Sequence, residues 1–255
     1  MSYGSVTLSP NMLRYAWVHA RLRHHFSPQG HRRGWAAGWK ICEVGGGYGG
    51  QAAVTLALEP NVAEYVLYDQ PGPVALAGHY LAPHPTLAPK AGRTPARLRT
   101  VGASEGEMAS VLPAAEDGGA CDLVISNYAL SELSVSLQWA YAERLVFDAR
   151  RVYATVNFHH KHEAGNFGAV VGELEGRGFE VEQYAEVPQT DEQRRNTVVV
   201  AVAPPAEAEA GKPGAETADG GPAAKPAAAG LSVSQLREMR RKNSARLRAL
   251  VAEEV

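Results

Sequence analysis

The chain is poor in the features that would commit it to several common functions. It has only two cysteines in 255 residues, Cys42 and Cys121. Each lies in or beside an apolar run, so the expectation is two reduced thiols in the core, not a disulfide or a metal site. No apolar run approaches the roughly 20 residues that a membrane span needs. The first residues, MSYGSVTLSPNMLRYAW, show no basic start followed by an apolar core, so no secretory leader is expected. The formal net charge of −2 lacks the excess of one sign that attracts nucleic acid or an anionic surface. No internal repeat is evident. A cytoplasmic location fits all of this, with neither a membrane nor a nucleic acid expected as partner.

The hydrophobic and charged fractions, 45% and 20%, are ordinary for a globular chain. They are unevenly spread. Residues 205–230 are Ala, Gly or Pro at 19 of 26 positions; such a stretch buries too little apolar surface to offset its ordering entropy and reads as a disordered linker. Residues 231–255 then show a capping-box spacing at Ser232 and Gln235, with apolar residues at steps of three and four. That spacing predicts a basic amphipathic helix suited to a protein partner or self-association. Residues 1–38 contain a helix candidate over 10–25 and read as a helical lid or cap segment. The central domain is then 39–204.

Within that domain strands and helices alternate. Strands are predicted at 39–44, 64–69, 97–102, 121–127, 151–157, 179–186 and 196–203. Helices are predicted at 49–58, 72–82, 104–112, 134–148 and 166–177. Near-continuous apolar strands separated by helices imply a mostly parallel sheet covered on both faces. Only nine residues, VPQTDEQRR, separate the last two strands. A parallel crossover needs a dozen or more, so these two should pair antiparallel. The expected fold class is α/β, a seven-stranded, mostly parallel Rossmann-like sheet with helices on both faces and an antiparallel last strand.

The stretch WKICEVGGGYGG, residues 39–50, carries the chemistry. Five glycines in six positions follow a strand and open a helix, so backbone must approach something closely. Gly45, Gly47 and Gly50 satisfy G-x-G-x-x-G, and Asp69 lies at the next strand end, where a carboxylate can hold ribose hydroxyls. NAD is therefore allowed. Three features favour S-adenosylmethionine instead. Glu43 would repel a pyrophosphate but favours an ammonium and a sulfonium. The last strand is reversed. No second mononucleotide-binding half is present.

The segments ICEVGGGYGGQAAVTLALEPNVAEYVLYDQPGPVALAGHYLA and DLVISNYALSELS together resemble the sugar O-methyltransferase family of the class I S-adenosylmethionine-dependent methyltransferases. The resemblance covers about residues 10–203. It implies that Glu43, Gly45, Gly47, Tyr48, Gly49 and Asp69 bind the cofactor, and that Ala103 and Ser104 bracket the adenine through backbone amides. Ser104 equally reads as a helix cap with Glu107 at box spacing, and the two roles can hold together.

Methyl transfer to a hydroxyl needs an aligned oxygen and a proton acceptor. Substrates of open α/β sheets lie outside the carboxyl ends of the strands. Asn127 and Tyr128, at the fourth strand end, are candidates to line the cofactor and acceptor pocket. His159 or His160, after the fifth strand, leads as the base because imidazole titrates near neutrality, and Glu132 is next. No metal is expected from these histidines, whose spacing matches no tetrahedral zinc pattern. Arg14 either pairs the methionyl carboxylate or belongs to a solvated basic face. The acceptor is expected to be a sugar or glycosylated metabolite. The alternatives are an NAD-dependent oxidoreductase and a non-catalytic cofactor-binding adaptor.

Overall fold

The computed structural model describes residues 2–3, 6–7, 9–27, 35, 38–83, 96–112, 120–157, 164–187 and 196–205. All belong to the unit Met1–Ala206. The predicted linker, with the exception of Pro205, and the predicted C-terminal helix lie outside the described residues, as do His159 and His160.

A short antiparallel pair, β1 (Ser2–Tyr3) and β2 (Val6–Thr7), precedes helix α1 (Pro10–Phe26). Ser9 caps α1: its hydroxyl accepts from the Met12 amide at 3.2 Å, and Pro10 occupies the first helical position, where no N–H is needed. Then follow β3 (Trp39–Val44), α2 (Gly50–Leu58), β4 (Val62–Asp69), α3 (Pro71–Leu81), β5 (Arg97–Gly102), α4 (Glu105–Val111) and β6 (Leu123–Asn127). A one-turn helix, α5 (Ala129–Glu132), leads to α6 (Val135–Tyr141), which runs on through a π-helical turn at Ala142–Val146. The chain ends its described part with β7 (Arg151–Val156), α7 (Ala164–Gly176), β8 (Glu180–Ala185) and β9 (Thr197–Val202).

The main sheet has the order β5-β4-β3-β6-β7-β9-β8. Strands β3 to β7 pair in parallel, and β9 runs antiparallel to both of its neighbours, β7 and β8. The sequence expectation of a reversed last strand holds, and the reversed strand lies inside the sheet, beside the edge strand β8. The carboxyl ends of β5, β4, β3, β6 and β7 therefore line one edge, together with the end of β8 and the start of β9.

Alternation along each strand divides the core. Ile41, Tyr65, Leu67, Leu123 and Ile125 face a layer built with Val18, Leu22 and Phe26 of α1 and Ala52, Ala53 and Leu56 of α2. Cys42, Val44, Val66 and Val124 face the other layer, with Met108 of α4, Tyr141 of α6 and Phe167, Val170 and Leu174 of α7. Val18, Leu22 and Phe26 recur at four-residue steps, and each contributes about 1.5–3 kcal/mol by burial. That is enough to make α1 part of the core.

A buried ionic cluster fastens α1 to the end of α2. Glu59 Oε1 lies 3.2 Å from His19 Nε2 and 3.2 Å from Arg23 Nε, while Glu59 Oε2 accepts from the Trp35 amide at 3.0 Å. His19 and Glu59 are 2% and 1% exposed. Burial pushes the Glu59 pKa up, but the hydrogen bonds from His19 and Trp35 and the charges of His19 and Arg23 outweigh it and hold the pKa below the ordinary value. His19 and Arg23 are thus internal partners of one carboxylate, not members of a solvated basic face.

One expectation is corrected outright. Cys42 and Cys121 form a disulfide, with Cα atoms 6.0 Å apart across 79 residues of sequence. Parallel pairing brings them together: Cys42 opposes Val124 in the β3–β6 register, and the Asp122 amide donates to the Lys40 carbonyl at 2.8 Å. Neither apolar run carries a local signal of that tertiary proximity.

Candidate functional site

The glycine turn joins β3 to α2. Gly45, Gly47 and Gly49 all have positive φ, 75°, 55° and 89°, a region that costs other residues about 1–2 kcal/mol. Gly45 also has no room for a side chain: an added Cβ would lie 2.0 Å from Ala129 Cβ of α5. At Gly47 an added Cβ meets nothing within 4 Å, so this glycine borders open space. Gly50 is covered by α1, since a Cβ there would come 2.2 Å from the Tyr15 ring. The Tyr48 ring meets Tyr15 edge-on at 6.0 Å and Tyr80 at 5.1 Å, which closes an aromatic patch beside the turn.

Glu43 and Asp69 project to the same face of the sheet, one from each of two neighbouring strands. Glu43 is 2% exposed, and a Cβ added to Gly46 would sit 3.0 Å from its Oε2. The acid that closes the first long strand therefore lies against the glycine turn. The Tyr65 hydroxyl donates to the same oxygen at 2.8 Å. Burial raises the Glu43 pKa to about 7; the Tyr65 hydrogen bond opposes this, and the nearby Asp69 charge adds to it. A buried carboxylate that ionises this reluctantly is stabilised by a cation and repelled by a phosphate.

Asp69 ends β4. Its Oδ2 accepts from the Gly47 amide at 2.8 Å and its Oδ1 from the Gln70 amide at 2.7 Å. The carboxylate is thus tied to the glycine turn, with lone pairs remaining on each oxygen for ligand hydroxyls. At the end of β5, both amides proposed to read an adenine are engaged within the chain. Ala103 N donates to the Asp69 carbonyl at 3.2 Å, and Ser104 N donates to Glu107 Oε2 at 3.3 Å. Of the two readings of Ser104, the structure shows the capping box; Glu107 accepts from both its amide and its hydroxyl.

Asn127 and Tyr128 stand at the tip of β6. Among the described residues Tyr128 is the one non-glycine with positive φ, 71°, a strain of about 1–3 kcal/mol that concentrates at functional sites. Several contacts hold it there. Its amide donates to the Thr155 carbonyl at 2.7 Å, its hydroxyl donates to Glu186 Oε1 at 2.5 Å, and the Arg14 guanidinium lies 4.0 Å from its ring centroid. Asn127 Oδ1 receives the Thr155 hydroxyl at 3.4 Å, whereas Asn127 Nδ2 is buried without a hydrogen-bond partner.

Glu186 is the site residue that the sequence reading missed. It follows β8 in the stretch YAEVPQ, without a motif around it. It is buried, accepts from Asn196 Nδ2 at 2.8 Å and lies 3.8 Å from Arg14 Nη2. Only the antiparallel return of β9 beside β7 and β8 brings it within reach of Tyr128. Glu132, the second base candidate, is exposed at the end of α5. His159 and His160 follow β7 in the sequence and are outside the described residues. No group of three or more His, Cys, Asp or Glu among the described residues is placed to hold a metal ion.

Glu43, Gly45, Gly47, Tyr48, Gly49, Asp69, Asn127 and Tyr128 thus share the carboxyl edge of β4, β3 and β6. Solved structures of similar fold include methyltransferases. The chain is similar to the methyltransferase domain of bacterial CtHen1-CN, with 16% identity over 75% of this chain and 98% of that chain and a TM-score of 0.51. It is also similar to a protein assigned as an O-methyltransferase from Nostoc punctiforme PCC 73102, with 13% identity, 75% and 56% coverage and a TM-score of 0.50. Neither a family model nor a curated protein matches the chain by sequence. The fold is a Rossmann-like methyltransferase fold. No described helix is long and apolar enough to cross a membrane.

Proposed function

We propose that the protein is an S-adenosylmethionine-dependent O-methyltransferase that methylates a hydroxyl of a sugar or glycosylated metabolite. The observation that carries the cofactor is the buried Glu43 carboxylate against Gly46, with Asp69 one strand over. An anion at that place suits a ligand with an ammonium and a sulfonium, and it disfavours the diphosphate of NAD. The residues present also fit the rest of the group: an open glycine at position 47 admits the ligand, and Asp69 offers acceptor lone pairs to a ribose diol.

Bound there, S-adenosylmethionine would supply an electrophilic methyl group. The chain's own part is to align the acceptor oxygen and take up its proton. Tyr128, held by Glu186, Arg14 and Thr155, would form a wall of the acceptor pocket. His159 or His160 is the proposed base, with Glu132 second. Support for the sugar comes from the sequence resemblance carried by GGGYGG and SNYALSEL. A cytoplasmic location and a partner role for residues 231–255 are also proposed.

Methyl release from labelled cofactor in the presence of a panel of glycosides tests this reading. Transfer to a glycoside hydroxyl supports it. Full activity in a His159→Ala/His160→Ala double variant would remove the histidine base while leaving the enzyme class intact.

A further inference from the structure

The contacts of Glu186 fix the direction of one proton. Its Oε1 accepts from the Tyr128 hydroxyl at 2.5 Å, and its Oε2 accepts from Asn196 Nδ2 at 2.8 Å. The Arg14 guanidinium lies 3.8 Å from Oε1. A carboxylate in that company only accepts hydrogen bonds. The phenol proton of Tyr128 is therefore committed to Glu186, and the phenol oxygen can offer another group only lone pairs.

The Tyr128 side chain lies on the half of the carboxyl edge away from Asp69 and the glycine turn. Its backbone sits at the tip of β6, where its amide donates to the Thr155 carbonyl of β7 at 2.7 Å. Its hydroxyl reaches Glu186, just after β8, and the Glu186 amide donates to the Asn196 carbonyl, just before β9, at 2.9 Å. With the strand order β6-β7-β9-β8, the side chain crosses the tip of β7. Substrates of open α/β sheets lie outside those ends. Glu186 is 8% exposed, whereas Tyr128 is half-buried, so Tyr128 is the member of the pair that a substrate can touch.

A neutral phenol oxygen can hold a hydroxyl but does not remove its proton. Relaying that proton to Glu186 would leave the Arg14 charge, 4.0 Å from the Tyr128 ring centroid, beside a neutral acid, and breaking such a pair is costly. The hydroxyl that Tyr128 holds thus keeps its proton and is not the one methylated. We propose that Tyr128 is a specificity-determining residue: its oxygen accepts a hydrogen bond from a second hydroxyl of the methyl acceptor. Glu186 is the positioning residue that fixes the polarity of the Tyr128 hydroxyl and does not touch the substrate. The acceptor class is then a molecule with at least two free hydroxyls, such as a sugar diol. A substrate whose second position cannot donate is selected against.

The inference rests on the sugar methyltransferase reading, and one experiment separates the two. Methyl transfer from labelled S-adenosylmethionine to the full chain's acceptors is measured with methyl glycosides and with their monodeoxyfluoro counterparts, in which fluorine replaces each hydroxyl in turn. Fluorine keeps a polar bond but cannot donate. For a parent glycoside that is methylated, a counterpart that retains the reacting hydroxyl should lose roughly 10-fold in kcat/KM, the size of one hydrogen bond. Tyr128→Phe should lower kcat/KM for the parent to the level of that counterpart and leave the counterpart unchanged, because the ring and its contact with Arg14 remain. Glu186→Gln should shrink the difference, since an amide can turn a donor toward the phenol oxygen. A merely structural role would slow parent and counterpart equally. Thermal unfolding of each variant reports whether it folds. The proposal is overturned if the unmodified protein methylates every counterpart that retains the reacting hydroxyl as fast as the parent, or if folded Tyr128→Phe keeps the full difference. Transfer to none of the parent glycosides removes the sugar reading and this inference with it.

Discussion

The hydroxyl of Tyr65 donates to Glu43 Oε2 at 2.8 Å, on the same oxygen that faces Gly46 from within the sheet. This pair places one ionisable group under the turn that the sequence marks most strongly. It also gives that group an unusual titration.

Burial holds the Glu43 pKa at about 7 against an ordinary 4.5. The folded protein therefore keeps a proton that the unfolded chain releases. The associated stability is fully present below about pH 4.5 and is lost as pH rises through about 7, a change on the order of 3 kcal/mol. Urea denaturation between about pH 5 and 8 should show this loss in the unmodified protein, and Glu43→Gln should remove it. Parallel curves for the two proteins would contradict the assignment.

Gly45 and Gly47 separate steric from conformational demand. Gly45→Ala meets Ala129 at 2.0 Å as well as a positive φ, whereas Gly47→Ala meets only the positive φ. Gly47→Ala should cost about 1–2 kcal/mol of stability and weaken S-adenosylhomocysteine binding, because its methyl enters the open space beside the turn. Gly45→Ala should cost several times more and unfold first in a thermal melt.

Glu59 anchors α1, so its loss should be felt beyond its own position. Glu59→Ala leaves the buried His19 and the half-buried Arg23 without their shared anion, at a cost of about 3–5 kcal/mol. Its depressed pKa means that this stability is present above about pH 4.5 and is lost as pH falls through the lower folded-state value. Guanidinium unfolding at neutral pH gives the first quantity, and an acid titration gives the second.

Cys42 and Cys121 should yield no free thiol in denaturant until a reductant is added. Cys42→Ala should lower stability by about 2–4 kcal/mol under oxidising conditions. Two reactive thiols in the unreduced, denatured chain would restore the original expectation.

The central strands and the glycine turn were legible because their signals are local: apolar runs bounded by turns, and a glycine pattern between strand and helix. The antiparallel pairing of β8 and β9 followed from the short connection between them. The disulfide was not legible, since it depends on which strands become neighbours. Glu186 escaped for the same reason: its contacts to Tyr128 and Arg14 span 58 and 172 residues, and its own segment resembles any polar strand end. The α5 turn is too short to show a period. At Ser104 the box spacing to Glu107 was legible, and the structure adds the geometry of the cap.

The most direct test of the central claim is calorimetric titration of the full chain with S-adenosylhomocysteine and, separately, with NAD. A saturable response to S-adenosylhomocysteine and none to NAD is the predicted result. Tight binding of NAD with no response to S-adenosylhomocysteine would contradict it.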